Sequence, residues 1–346
     1  MRLAFLLLGA SALVMGMAAG LGRIGLLPPG DAAAFHGALM VSGFLGTVIS
    51  LERAVALRSP YAYLAPFASG LGTLATIAGF HAAAAYFWIA APLLLLGASA
   101  RIVQRQPALH TVLLAVGAAS WGFGSVLDAS GRADAAPAWW FSFLVLTIAA
   151  ERLEMTRLTR RPAWAAPLAV AIAAGILVGA VMSIVDARWG GVAYGAALGA
   201  LAAWLGVFDI ARHTVKTEGF ARYAALALLG GYAWLAVAGA AWALGPAPGE
   251  VALHALGLGF VFSMILAHAP LIVPVVARVK MRFTPLFYLP LVLLHVSLLV
   301  RLAGGAVDTA LRSLGAALNA AAIVLFLAAL LFVIFTRERG TAAPRR

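Results

Sequence analysis

In this chain of 346 residues, 64% are apolar, 10% are charged, and the mean hydropathy is +1.01. A soluble domain of this length cannot bury so much apolar surface. The absence of cysteine excludes disulfides, thiolate metal sites, iron–sulfur clusters and covalently attached c-type haem.

The apolar runs are about 20 residues long and lack strict alternation, which selects helices over a β-barrel. In chain order the predicted spans are 3–22, 32–51, 61–80, 83–100, 109–127, 136–151, 165–184, 189–209, 222–244, 250–277, 284–303 and 313–336. The expected fold is therefore an all-α integral membrane protein, a single polytopic domain of twelve transmembrane helices. Its first span has the look of a signal peptide, but charge parity works best with that helix retained.

The 24 Lys and Arg explain the net charge of +12 by their position. Only Arg23, Arg132, Arg188, Arg301 and Arg312 fall on one side of these spans. All the others, Arg157, Arg160, Arg337, Arg339, Arg345 and Arg346 among them, fall on the opposite side. Such asymmetry places both termini in the cytoplasm and accounts for the basic pI without nucleic acid. Arg greatly outnumbers Lys and Ala is abundant, which points to a GC-rich bacterial genome and so to the inner (plasma) membrane. There is no Walker motif and no loop long enough for a soluble domain; the longest connection is about 152–164. ATP-driven chemistry within the chain is not expected.

An internal repeat is expected from three segments. Span two runs from His36 through Gly43-Phe44 to Glu52-Arg53, and span ten from His254 through Gly259-Phe260 to His268. Span six has Phe143 with Glu151-Arg152 eight residues on. Phe44, Phe143 and Phe260 are about four spans apart, the spacing of a four-helix unit used three times.

Of the seven histidines, His110 and His213 lie at cytoplasmic loop ends and His81 in a short external loop. The other four, His36, His254, His268 and His295, fall within spans, where ionisable groups are costly and are candidates for function. His36 and His254 begin helices running in the same direction, at matching depth near the external face. Two neutral imidazoles so placed can ligate one iron from opposite faces. Gly37, Gly43, Gly257 and Gly259 nearby would admit a flat macrocycle. The plainer alternative is a pair of interfacial histidines whose tips reach the headgroups.

These two segments, on spans two and ten, resemble the heme-copper oxidase superfamily. The stretch from His254 to Ala267 is most similar to its NnrS branch, haem-containing membrane proteins linked to nitric oxide stress. The resemblance implies twelve helices in three arcs of four with pseudo-threefold symmetry, and haem b held by His36 and His254 as axial ligands. It also implies basic partners for the haem propionates in the connection where Arg301 and Arg312 lie; the alternative for these is external anchor charges. The superfamily's high-spin haem ligand is replaced here by Ala252, and the copper-site histidines of spans six and seven are missing. Oxygen- or nitric-oxide-reductase activity is therefore not expected, and copper has no supporting ligand set.

His268 and His295 could share a second metal or a proton path, or each bond a backbone carbonyl. Glu52-Arg53 and Glu151-Arg152 read as interfacial charges, paired locally or by neighbouring helices, with a quinone contact as the functional alternative. Trp121, Trp139, Trp140, Trp164 and Trp189 read as aromatic belt. The expected function is electron transfer or nitric oxide and redox response, with haem, the bilayer and a quinone or redox protein as partners and no nucleic acid. A cofactor-free secondary transporter, proton- or metal-coupled through His268 and His295, is the alternative, and a structural subunit of a respiratory complex is a third.

Overall fold

The computed structural model describes residues 2–28, 30–156, 161–245 and 248–340, without the side chains of 337–340. Arg157, Arg160, Arg345 and Arg346 lie outside the described residues, as do the side chains of Arg337 and Arg339. Among the described residues the chain is 86% helical and has no strand. The longer helices are α1 (Arg2–Arg23), α2 (Asp31–Leu57), α3 (Leu64–Ile77), α4 (His81–Arg105), α5 (Leu109–Ala129) and α6 (Ala136–Met155). They continue as α7 (Ala165–Val185), α8 (Ala187–Phe208), α9 (Gly219–Leu244), α10 (Glu250–Ala277), α11 (Pro285–Ala306) and α12 (Thr309–Gly340).

Among the described residues, ten helices are long and apolar enough to cross a membrane. The two outside this group are α3 and α6. At 14 residues α3 spans roughly 21 Å, short of a typical hydrocarbon core. The last turns of α6 carry Glu151, Arg152 and Glu154. In a medium without water, helices are the open-chain form that satisfies its own backbone, so apolar composition and helical content have one cause.

The chain divides into two compact units, Met1–Leu198 with Trp242–Ala247, and Gly199–Ala241 with Pro248–Arg346. In the first unit α3 packs on α4, α4 on α5 and α5 on α6, while α1 lies against α2 and α3. In the second, α11 packs on α12 and α10 on α11.

Among the described residues two helices, one in each unit, carry a π-helical stretch, and they do so alike. Leu39–Leu45 of α2 and Ala255–Phe262 of α10 are π-helical. A π stretch widens the turn and displaces backbone hydrogen bonds. In each, a hydroxyl four residues on closes over the glycine carbonyl: Thr47 Oγ1 donates to Gly43 O at 2.6 Å, and Ser263 Oγ to Gly259 O at 2.6 Å. Ser69 of α3 adds a hydrogen bond to Ser42 O at 2.5 Å. Both helices then end on an arginine in the left-handed region, Arg58 at φ 53° and Arg278 at φ 58°. These are the only non-glycine residues with positive φ among the described residues.

Ser42, Thr47 and Ser69 are fully buried in the first unit. Trp121 of α5 reaches into this polar seam, donating from Nε1 to Ser42 Oγ at 2.9 Å and stacking on Phe143 at 5.0 Å. Its ring occupies the space beside Gly46 that a Cβ would fill. Here the aromatic-belt expectation is corrected. Trp121, Trp139 and Trp140 are 0%, 7% and 6% exposed, because helix neighbours cover them, whereas Trp164 and Trp189 are exposed.

Gly46→Ala is therefore expected to push Trp121 off Ser42 and to cost about 1–3 kcal/mol, as overpacking of a tight core does. Unfolding in detergent followed by tryptophan emission checks this, and a wild-type midpoint would contradict the packing described.

Candidate functional site

The end of the second unit at which α10 begins carries a four-residue polar network. Glu250 opens α10, and His254 sits one turn later on the same face, as i and i+4 residues do. Arg301 comes from the last turn of α11 and Arg312 from the first turns of α12. Arg301 Nε donates to Glu250 Oε1 at 2.9 Å, and Arg312 Nε lies 2.5 Å from Glu250 Oε2. Arg301 Nη2 approaches His254 Nε2 at 3.0 Å. A guanidinium only donates, so Nε2 accepts and the proton of the neutral ring is on Nδ1. Nδ1 then donates to Glu250 O at 3.0 Å, which agrees with that assignment.

His36 is built into the first unit differently. A 3₁₀ turn over Asp31–Phe35 leads into it, and its ring crosses to α1. Nδ1 donates to Gly16 O at 2.7 Å. The ring lies against Gly20, whose Cβ, had it one, would stand 2.8 Å from His36 Cε1. Neighbouring residues hold the same corner: Phe35 stacks on His81 at 4.3 Å, and Trp140 covers Gly37.

His36 and His254 thus share one chemical state. Each has its Nδ1 proton engaged by a backbone carbonyl, and in the neutral ring this leaves the lone pair on Nε2. That is the tautomer in which imidazole ligates a metal, with its second nitrogen anchored in the way metal-bound histidines usually are. His268 is arranged likewise, Nδ1 donating to Met264 O at 2.8 Å. His295 has the opposite assignment. Trp234 Nε1 donates to its Nδ1 at 2.9 Å, so the lone pair is taken and the proton is on Nε2. The expected second site at His268 and His295 therefore has one suitable donor atom and one that Trp234 occupies. Among the described residues there is no group of three or more side chains able to hold a metal.

The Nε2 atom of His254 already accepts from Arg301, and the expected cradle does not lie where the glycines suggested. The space beside Gly43 is filled by Thr73 and Ala12, and that beside Gly259 by the Trp234 ring. Gly257 is half-buried in the same π stretch. Arg301 and Arg312, expected at propionates, both hold the carboxylate of Glu250. That the pair binds a carboxylate fits the chemistry; that the carboxylate belongs to the chain was not foreseen.

At the other end of the first unit, Arg53 of α2 donates through Nη2 to Glu151 Oε1 of α6 at 2.5 Å, and Glu52 lies 4.0 Å from the same guanidinium. Arg152 beside it is buried. The two Glu-Arg pairs of the repeated segments thus meet across helices. Sequence reasoning missed Glu250, Trp234, Gly16 and Gly20. Only Glu250 left a signal, by standing four residues before His254.

The chain belongs to the family described as Domain of unknown function (DUF8744), whose model matches residues 2–335. No curated protein and no solved structure matches the chain.

Arg53→Met alone should destabilise the first unit by about 3 kcal/mol, since it leaves the Glu151 carboxylate without its partner. Arg53→Met combined with Glu151→Met should recover most of that loss. Unfolding of the four species in detergent measures the coupling; additive losses would show the pair to be unimportant.

Proposed function

We propose that this protein binds haem b in a bacterial inner membrane, His36 and His254 supplying the axial nitrogens, and acts in electron transfer or the response to nitric oxide. The observation that carries this reading is the shared tautomer of the two rings, each with Nδ1–H on a backbone carbonyl. Haem held by these two ring nitrogens would supply one-electron chemistry, which suits electron transfer. The binuclear haem–copper centre is absent from the proposal, since Ala252 stands where its haem ligand would be.

The proposed architecture counts α3 and α6 as spans alongside the ten apolar helices, giving twelve in three four-helix repeats with pseudo-threefold symmetry. Support comes from α2 and α10, which share the π stretch, the hydroxyl over a glycine carbonyl and the left-handed arginine. On this reading the chain resembles heme-copper oxidase subunits and their NnrS branch, with both termini in the cytoplasm. A quinone or redox protein would exchange the electron.

One feature favours the second reading, a cofactor-free secondary transporter. Secondary transporters use interrupted helices at their binding sites, and α2 and α10 both leave α geometry within the span.

An absorption spectrum separates the two. Purified from haem-supplied cells, the full-length protein is expected to be red, with a Soret band and sharp reduced α and β bands. His36→Ala or His254→Ala should abolish the spectrum and His110→Ala should preserve it. A colourless full-length protein would refute the haem reading. Because the chain has no cysteine, Ser59→Cys and Ser130→Cys are single labelling sites. A membrane-impermeant maleimide should reach Ser130→Cys from outside and Ser59→Cys only after permeabilisation.

A further inference from the structure

Cations that face the protein interior are paired: Arg53 with Glu151, Arg301 and Arg312 with Glu250. At the end of the second unit where α10 finishes and α9 begins, they are not. Residues 279–284 link α10 to α11 outside any helix, and burial alternates along them. Arg278, Lys280 and Arg282 are exposed, while Val279, Met281 and Phe283 are half-buried. A period of two is that of an extended backbone, so three cations stand in a row, each about 7 Å from the next. Phe283 holds the apolar side of the row down, its ring 5.8 Å from Phe220, 5.4 Å from Tyr223 and 6.2 Å from Phe287. Tyr223 is itself locked. Pro270 has no N–H, which leaves Leu266 O without its helical donor, and the Tyr223 hydroxyl donates to that carbonyl at 3.1 Å. The row therefore rests on a fixed apolar floor that joins α9, α10 and α11. Arg222 in the first turn of α9, and Arg212 and Lys216 just before it, are exposed as well. Among the described residues no carboxylate pairs with any of these six cations. Of the two acidic residues nearest Arg212 and Lys216 in the chain, Asp209 is buried and accepts from Ala211 N at 2.7 Å, and Glu218 is exposed.

We infer that this row is a binding site for an anionic phospholipid, with the phosphate on Arg278, Lys280 and Arg282 and the acyl chains along α10 and α11. Guanidinium groups bind phosphate through paired hydrogen bonds, and cations at the membrane surface attract anionic headgroups. The row joins the ends of two helices that are long and apolar enough to cross a membrane, which sets it at headgroup level. Leu271 and Val275 of α10 and Leu289 and Val292 of α11 are exposed, and they continue from the row as an apolar track for the chains. A soluble anion or an acidic protein would use the cations and leave that track empty. Because the floor is packed before any ligand arrives, little ordering opposes binding. The site lies at the opposite end of α10 from His254 and does not depend on the haem reading. Basic residues that only orient a chain act through their total charge, whereas a built site depends on these positions and not on others.

The test uses the full-length protein, delipidated in detergent and titrated with phosphatidylglycerol or phosphatidylcholine of the same chains, with bound lipid counted by native mass spectrometry. Wild type is expected to bind its first phosphatidylglycerol about tenfold more tightly than phosphatidylcholine. Arg278→Gln, Lys280→Gln and Arg282→Gln together should remove most of that preference and leave phosphatidylcholine binding unchanged. Arg58→Gln, Arg101→Gln and Arg105→Gln together take the same charge from exposed positions of the first unit. They should leave the preference within about twofold of wild type. Lys280→Gln alone removes one exposed amine without touching the packing, and should lower the preference about threefold even if the triple variant fails to fold. Equal losses in the two triple variants, or no preference in wild type, would overturn the site. Glycerophosphoglycerol, the same headgroup without chains, should displace the lipid only at about a hundredfold higher concentration or more. If it or polyglutamate displaces the lipid as readily as phosphatidylglycerol itself does, the row binds a soluble anion or an acidic protein and the lipid assignment is wrong.

Discussion

The absence of water in the bilayer core governs the rest of this structure, because every backbone carbonyl and amide there must find its partner within the protein. Regular helices meet the demand by themselves. The π stretches of α2 and α10 displace part of the regular pattern, and hydroxyls stand over their glycine carbonyls. Thr47 and Ser263 have the same relation to Gly43 and Gly259, although they lie in different units. In each helix an indole fills the space beside one glycine: Trp121 beside Gly46, just past the first π stretch, and Trp234 beside Gly259. Wide turn, hydroxyl, glycine and indole form one solution to one requirement.

Charge follows the same logic at the helix ends. An unpaired ion is costly in a medium of low dielectric, so the charges that face inward are shared between helices. Arg53 and Glu151 join α2 to α6. Glu250, Arg301 and Arg312 join α10, α11 and α12. The second network includes an imidazole, and this makes it more than a fastening. Fixing Arg301 on Glu250 also fixes the tautomer of His254, because the guanidinium has no acceptor and the backbone carbonyl has no proton.

Hydropathy made the membrane class and most helix positions legible, since apolar length alone decides them. It is weakest at α3, which is short, and at α6, where Glu151 and Arg152 fall inside the helix. The histidines stood out because ionisable groups in apolar runs are rare, and their partners did not. Gly16 and Gly20 belong to another helix and carry no side-chain signal, so the seat of His36 is a tertiary fact. Trp234 engages His295 across 61 residues. The tryptophans of α5 and α6 misled for a related reason: an indole near a span end has the same sequence signature whether lipid or protein covers it. The Gly-Phe pattern, by contrast, did mark two helices that share an unusual backbone.

The π stretch in α2 also acts as a rotary offset. Each residue of an α-helix turns the chain by about 100°, and a π-bulge typically accommodates one residue more than the regular helix would. The outer part of α2, with His36, is thereby set at an angle to the inner part that carries Arg53. Loss of one residue from 39–45 would restore a straight helix and leave its composition and hydropathy nearly untouched. It would also swing His36 away from Gly16 while Arg53 stayed with Glu151. In such a helix, a deletion invisible to any hydropathy profile would re-aim one end of the protein relative to the other.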